Sequence, residues 1–226
     1  MTIVVITAVY AAYIVFWARF LMHALVWWRA VQRSSPEVPA PSSIKACALT
    51  FLDSVLFARL FRVDPALWFA EWSFHASLLL VLLRHLRYFL DPVPAWVWAV
   101  QTPGLIAGFL LPFTLGLVFA IRSSRRDEQY TSRPNMILLL LVLLLSVKGL
   151  VMNLWLRPNL VDVKLFVLGI LRLDPSPLPA QGLFLIHFAM ALLLFAFIPT
   201  HIFTAPIVMM EARKRQQALR LVMHDE

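Results

Sequence analysis

The chain has 226 residues, 61% of them hydrophobic and 14% charged, with a formal net charge of +8 and a mean hydropathy of +0.80. So little polar surface excludes a water-soluble globular domain of this length, whose core needs a polar covering. The single cysteine, Cys47, excludes an internal disulfide, a four-cysteine iron–sulfur or zinc site and covalent c-type haem attachment, so any metal chemistry falls to histidine.

Runs of roughly 20 apolar residues cross a hydrocarbon layer as helices. Five are expected, at 2–28, 66–90, 96–121, 135–156 and 182–208, forming one all-α integral membrane domain over 1–226 with a basic tail at 209–226. The first run has no basic n-region and no small-residue cleavage site, and is read as a retained helix. It carries Arg19 and, one turn later, His23 on the same face, candidates for a cofactor's acid groups, a proton path or an interhelical bond.

The connection that follows holds Arg29, Arg33, Lys45, Arg59 and Arg62 and the turn-rich "SSPEVPAPSS". Its apolar part, "ACALTFLDSVLFARLFRV", is expected to lie along the membrane interface. The second helix reads "EWSFHASLLLVLLRHLRYFL", with His75 and His85 ten residues apart and Arg84 and Arg87 flanking His85. After "DPVPA", the third helix has Gly104 and Gly108 in "GLIAG", a helix-packing signal. A basic loop, "RSSRRDEQYTSR", leads to the Leu-rich fourth helix, whose Ser146, Lys148, Gly149 and Asn153 mark an inward face. Lys148, well inside that helix, is a candidate for a quinone carbonyl, a haem propionate or a structural interhelical bond. The segment "VDVKLFVLGILRL" is expected as a second interfacial helix, before "DPSPLP" stops it. The fifth helix, "GLFLIHFAMALLLFAFIPTHIF", carries His187, Pro199 and His201, and the tail adds Arg213, Lys214, Arg215 and Arg220.

With five helices the three basic connections fall on one side, so the N-terminus is expected outside and the C-terminus in the cytoplasm. The net positive charge then belongs to loops beside anionic lipid head groups and not to nucleic-acid binding. Trp68, Trp72, Trp96, Trp98 and Trp155 fall near helix ends, as an aromatic belt does.

Four of the six histidines lie on just two helices. At a rise of about 1.5 Å per residue, His75 and His85 are separated by roughly 15 Å and His187 and His201 by roughly 21 Å. Because the two helices run in opposite directions, His85 and His187 share the outer level and His75 and His201 the cytoplasmic one. Two facing imidazoles fill both axial positions of a haem iron, which then carries electrons without binding substrate. Ten and fourteen residues fall about 80° and 40° short of whole turns, a mismatch that helix crossing and a kink at Pro199 absorb. The alternative is a set of bundle histidines bonded to neighbouring side chains. Arg84 and Arg87 suit haem propionates, or the head-group region by snorkelling.

In "WSFHASLLLVLLRH" and "IHFAMALLLFAFIPTHIFTAP" the chain resembles the γ subunit of respiratory nitrate reductase and its relatives. Those relatives include the membrane cytochrome b subunits of the Dsr and Hmc complexes of sulfate-reducing bacteria, and the size and basic tail are most like the Hmc branch. The resemblance implies a five-helix protein with two bis-histidine haems b, ligated by His85 and His187 outside and by His75 on the cytoplasmic side. In the nitrate reductase branch the last ligand lies near the position of Ala205 here; a shift of about four residues keeps nearly the same helix face, so His201 is taken as that ligand. The resemblance further implies menaquinone as substrate, a cytoplasmic iron–sulfur subunit docked on the basic loops, and other integral membrane subunits. It also implies a periplasmic multihaem cytochrome c and residence in the bacterial inner membrane, in anaerobic respiration linked to sulfate reduction. No nucleophile–base motif, phosphate loop or hydrolytic carboxylate pair occurs, so no catalysis is expected beyond quinone oxidation or reduction. The rival readings are a haem-free or mono-haem anchor of a multisubunit oxidoreductase.

Overall fold

In lipid a spanning segment must satisfy its backbone groups internally, which selects helices for apolar runs like these. A computed structural model describes residues 2–33, 51–52, 55–124 and 133–203, and all regular structure among them is helical. The elements are α1 (Thr2–Arg33), α2 (Ala58–Val63), α3 (Pro65–His85), a 3-10 turn (Leu86–Tyr88), α4 (Ala95–Ala99), α5 (Gln101–Ser124), α6 (Arg133–Leu154), α7 (Leu160–Leu171) and α8 (Gly182–Ile202). The long helices α1, α3, α5, α6 and α8 supply five segments long and apolar enough to cross a membrane. Their outer faces carry side chains that water would reject, such as Ile3 at 79%, Phe113 at 72% and Ile137 at 63% exposure. Lys45, Cys47, Arg125, Arg126, His224, the basic tail and the expected end of the fifth helix beyond 203 lie outside the described residues.

The boundaries differ from the expected ones where local chemistry intervenes. α1 continues to Arg33, because no proline or glycine interrupts "WWRAVQR". α3 starts at Pro65, which needs no amide donor in a first turn, and the Asp64 carboxylate caps it by accepting from the Leu67 amide at 3.1 Å. It ends at His85 and tightens into the 3-10 turn ahead of Pro92 and Pro94. The third expected helix is broken at Val100 into α4 and α5. There the Gln101 side-chain amide donates to the carbonyls of Val97 (2.9 Å) and Arg84 (3.3 Å), satisfying acceptors that the break and the α3 terminus leave open.

Two compact units divide the chain. The first comprises Met1–Ala12 with Phe69–Leu194, the second Tyr13–Trp68 with Phe195–Glu226. In the first, Ala70 of α3, Leu111, Leu115 and Val118 of α5, and Leu139 and Val142 of α6 form one buried core. Gly104 brings α5 against α3. A Cβ there would lie 2.7 Å from the Arg84 Cβ and 2.9 Å from the Leu80 carbonyl oxygen, so the close approach requires glycine.

A second core in the same unit surrounds α7. Asn159 caps this helix by accepting from the Val161 amide at 3.0 Å. The expected helix is thus present, and Val163 and Phe166 to Ile170 of it are buried in the protein. Phe166 is fully buried and meets Phe184 and Phe188 edge-on at 6.2 and 5.6 Å, while the Tyr10 hydroxyl of α1 donates to the Ile170 carbonyl at 3.2 Å. Asp91, in the turn after α3, accepts from Lys164 at 3.1 Å and from Arg172 at 3.4 Å, tying that turn to α7. The Lys164 hydrogen bond and charge, with Arg172 adding to them, hold the Asp91 carboxyl below the ordinary carboxylate range.

The second unit is rich in rings. Phe16 of α1 stacks on Phe195 of α8 at 4.2 Å, and Phe20 meets Phe203 at 5.3 Å.

Candidate functional site

His85 is the last residue of α3. Its Nδ1 lies 2.6 Å from the carbonyl oxygen of Val81, one turn earlier. A carbonyl can only accept, so Nδ1 carries the proton and Nε2 keeps its lone pair. His187 stands in the second turn of α8, and its buried Nδ1 has no hydrogen-bond partner among the described residues. The centres of the two imidazoles are 6.5 Å apart and their planes 13° from parallel.

That spacing fits a shared metal. Two imidazoles this close would be able to hold one haem iron between them, and such a group would supply one-electron transfer. A free Nε2 lone pair on one ring and an unsatisfied nitrogen on the other suit the donor set of a six-coordinate haem. Gly149 of α6 completes the surroundings. A Cβ there would approach the His187 Cε1 to 3.2 Å, so this position leaves room for the ring.

The two arginines beside His85 divide in their contacts. Arg87 donates to the Gln101 side-chain oxygen at 3.0 Å and to the Tyr88 hydroxyl at 2.6 Å, with its guanidinium 4.8 Å from the centre of the Tyr88 ring. Its Nε is buried without a partner among the described residues. Arg84 has no side-chain acceptor among the described residues, and neither has Lys148, which precedes Gly149 in α6.

His75 repeats the pattern of His85 three turns earlier in α3. Its Nδ1 lies 2.7 Å from the Glu71 carbonyl oxygen, which again places the proton on Nδ1. The Glu71 carboxylate is 3.8 Å from the same Nδ1 and forms a 2.6 Å ion pair with Arg122, from the last turn of α5. Sequence reasoning missed this pair. The available signal was that Glu71 is the one acidic residue within the five membrane-length segments, four residues before a histidine, and such a group requires a cation in lipid.

His75 belongs to the first unit and His201, in the last turn of α8, to the second. Within the second unit Arg19 donates to the Thr200 hydroxyl at 2.9 Å and lies 5.0 Å from the centre of the Phe197 ring. The same hydroxyl stands 3.3 Å from the His23 Nε2. The expected Arg19–His23 face is therefore joined through Thr200, a residue with no distinguishing pattern in the sequence. No group of three or more metal-ligating side chains occurs among the described residues, which bears on clustered metal sites and not on a two-histidine haem.

No protein-family model matches the chain, and no solved structure does. Two curated proteins described as "Hdr-like menaquinol oxidoreductase cytochrome b-like subunit" are similar to it. The one from Archaeoglobus profundus is 31% identical over 150 residues, covering 59% of this chain and 44% of the relative. The one from Archaeoglobus fulgidus is 29% identical over 190 residues, covering 76% of this chain and 56% of the relative. The chain spans about half the length of these curated relatives. Helices of membrane-spanning length and similarity to cytochrome b-like subunits thus come together in one chain.

Proposed function

We propose that this chain is the cytochrome b subunit of a quinol-linked membrane redox complex. The observation that carries the proposal is the His85–His187 pair, two near-parallel imidazoles at the separation that a shared iron requires. A haem held there by His85 and His187 would supply one-electron carriage. The Val81 carbonyl holds the His85 ring in the tautomer that presents Nε2, and Gly149 leaves space for His187. Arg84 and Lys148 provide cations for haem propionates or for a quinone carbonyl, and the guanidinium of Arg87, fixed by Gln101 and Tyr88, adds positive charge beside His85.

The second haem of the proposal takes His75 and His201 as ligands, on their order along the two helices. Arg19, bonded to Thr200 next to His201 in sequence, is the proposed cation for its acid groups. Menaquinol is the proposed electron donor, since the relatives' description names it. Its oxidation would release two electrons and two protons. The distribution of basic residues adds an external N-terminus with a cytoplasmic C-terminus, and the likeness to nitrate reductase γ subunits adds a cytoplasmic iron–sulfur partner and further subunits in the membrane and outside it. The whole of 1–226 then serves as a single membrane domain in a cytoplasmic membrane.

Purified protein examined by reduced-minus-oxidised spectra and a haem count per polypeptide tests the reading. Two haems b are expected, with His85→Ala and His187→Ala each losing one of them. A count of one, removed by His85→Ala, keeps the outer pair and overturns the second haem. A colourless protein from haem-replete cells overturns the proposal in favour of a structural anchor.

A further inference from the structure

The mechanism above leaves one buried ionic group without a role: the pair formed by Glu71 and Arg122. Glu71 sits in the second turn of α3 with its side chain 9% exposed, and Arg122 reaches it from the end of α5 with a side chain 23% exposed. Burying both charges carries a desolvation penalty that a merely structural contact, replaceable by apolar packing, does not require. Both helices already share an apolar core that includes Ala70 and Val118, so the pair is not needed to join them. Its position distinguishes it. One carboxylate oxygen points to Arg122 and the other lies 3.8 Å from the His75 Nδ1, with the hydrogen bond from that nitrogen going to the Glu71 main-chain carbonyl at 2.7 Å. The carboxylate therefore acts on the imidazole through its field, with Arg122 paired to its other oxygen.

We infer that the Glu71–Arg122 ion pair sets the reduction potential of the haem held by His75. This rests on the proposed ligation by His75. An anion directly behind an axial imidazole favours the oxidised, more positive iron, and Arg122 offsets part of that effect. The two residues consequently act with opposite signs. Glu71→Gln removes the near negative charge, leaves Arg122 unopposed and raises the potential. Arg122→Gln leaves the carboxylate unopposed and lowers it. By Coulomb's law at an effective permittivity of about 20, a full charge just beyond the ring changes the reduction equilibrium by roughly tenfold or more. Tenfold corresponds to about 59 mV for a one-electron couple. Glu71 and Arg122 are positioning residues in this account, because neither touches the iron.

The test is an optical redox titration of the purified full chain that resolves both haems, paired with a haem count and the low-spin electron paramagnetic resonance signal of each. In Glu71→Gln one potential rises and in Arg122→Gln the same one falls, while the His85–His187 haem keeps its potential. Arg122→Lys preserves the charge and restores the wild-type value, which a loss of packing alone would not produce. Both haems present with unchanged potentials, or potentials moving in the same direction in both variants, overturns the inference and leaves the function standing. A wild-type protein whose haem count is unaffected by His75→Ala overturns the ligation instead. Should Glu71→Gln fail to fold, Arg122→Gln decides alone: a fall supports the inference, and no change or a rise overturns it.

Discussion

Gly149 is where a single methyl group separates helix stability from cofactor binding. Replacing a helical glycine by alanine stabilises a helix by about 0.8–1 kcal/mol through propensity. The added Cβ would also stand 3.2 Å from the Cε1 of His187, closer than ordinary van der Waals contact, so the ring must retreat by a few tenths of an ångström. A free imidazole yields readily, whereas one held between a helix and an iron does not, and overpacking of a fixed site costs about 1–3 kcal/mol. Gly149→Ala should therefore unfold no earlier than wild type when haem is withheld, yet bind the haem proposed for the His85–His187 pair less tightly and with an altered low-spin signal. Gly149→Leu should lose that haem. Gly116→Ala is the control: nothing lies within 4 Å of its added Cβ, so it gains propensity and leaves both haem signals alone. The assays are thermal unfolding by circular dichroism and a haem count with electron paramagnetic resonance. Wild-type haem content and spectra in Gly149→Leu would refute the placement of a ligated His187 against α6.

Phe166→Ala should destabilise the first unit by about 3–5 kcal/mol, the usual range for a fully buried aromatic that leaves a cavity; thermal unfolding in detergent checks it. Tyr10→Phe removes the hydroxyl bonded to Ile170 and should cost about 0.5–1.5 kcal/mol in the same assay. Asp91 has a lowered carboxyl value in the folded chain, chiefly from Lys164, so its contribution is fully present above the ordinary value of about 3.9 and is lost as pH falls below it. Hydrogen-exchange protection over α7, taken relative to the intrinsic amide rate at each pH, should accordingly fall below that pH in wild type, while Asp91→Asn shows the lower protection throughout.

The helices that cross the membrane were legible because their cause is local. A run of roughly 20 apolar residues in lipid has no alternative to the helix, so existence and number followed from hydropathy. Helix ends were less legible, because they depend on competition among neighbours. The break at Val100 is stabilised by Gln101 reaching the Arg84 carbonyl, an acceptor seventeen residues away in sequence. The role of "VDVKLFVLGILRL" was half legible: its apolar character announced a helix, and only its partners revealed that Phe166 is buried among Phe184 and Phe188.

At the candidate site, the pairing of His85 with His187 came from chain direction and residue counting, since antiparallel helices bring equal depths together. The separation of 6.5 Å and the near-parallel planes came from the tertiary structure. Counting residues says nothing about rotation around a helix axis, and that rotation decides whether two rings face each other. The partners of Gly149, Thr200 and Arg122 came from the folded chain for the same reason: each of these residues acts on one far along the sequence. Composition by itself determined the solvent of this protein and its helical class, because transfer into lipid is a sum over residues. The placement of charges and imidazoles against one another is a property of packing between helices, and only the folded chain decided it.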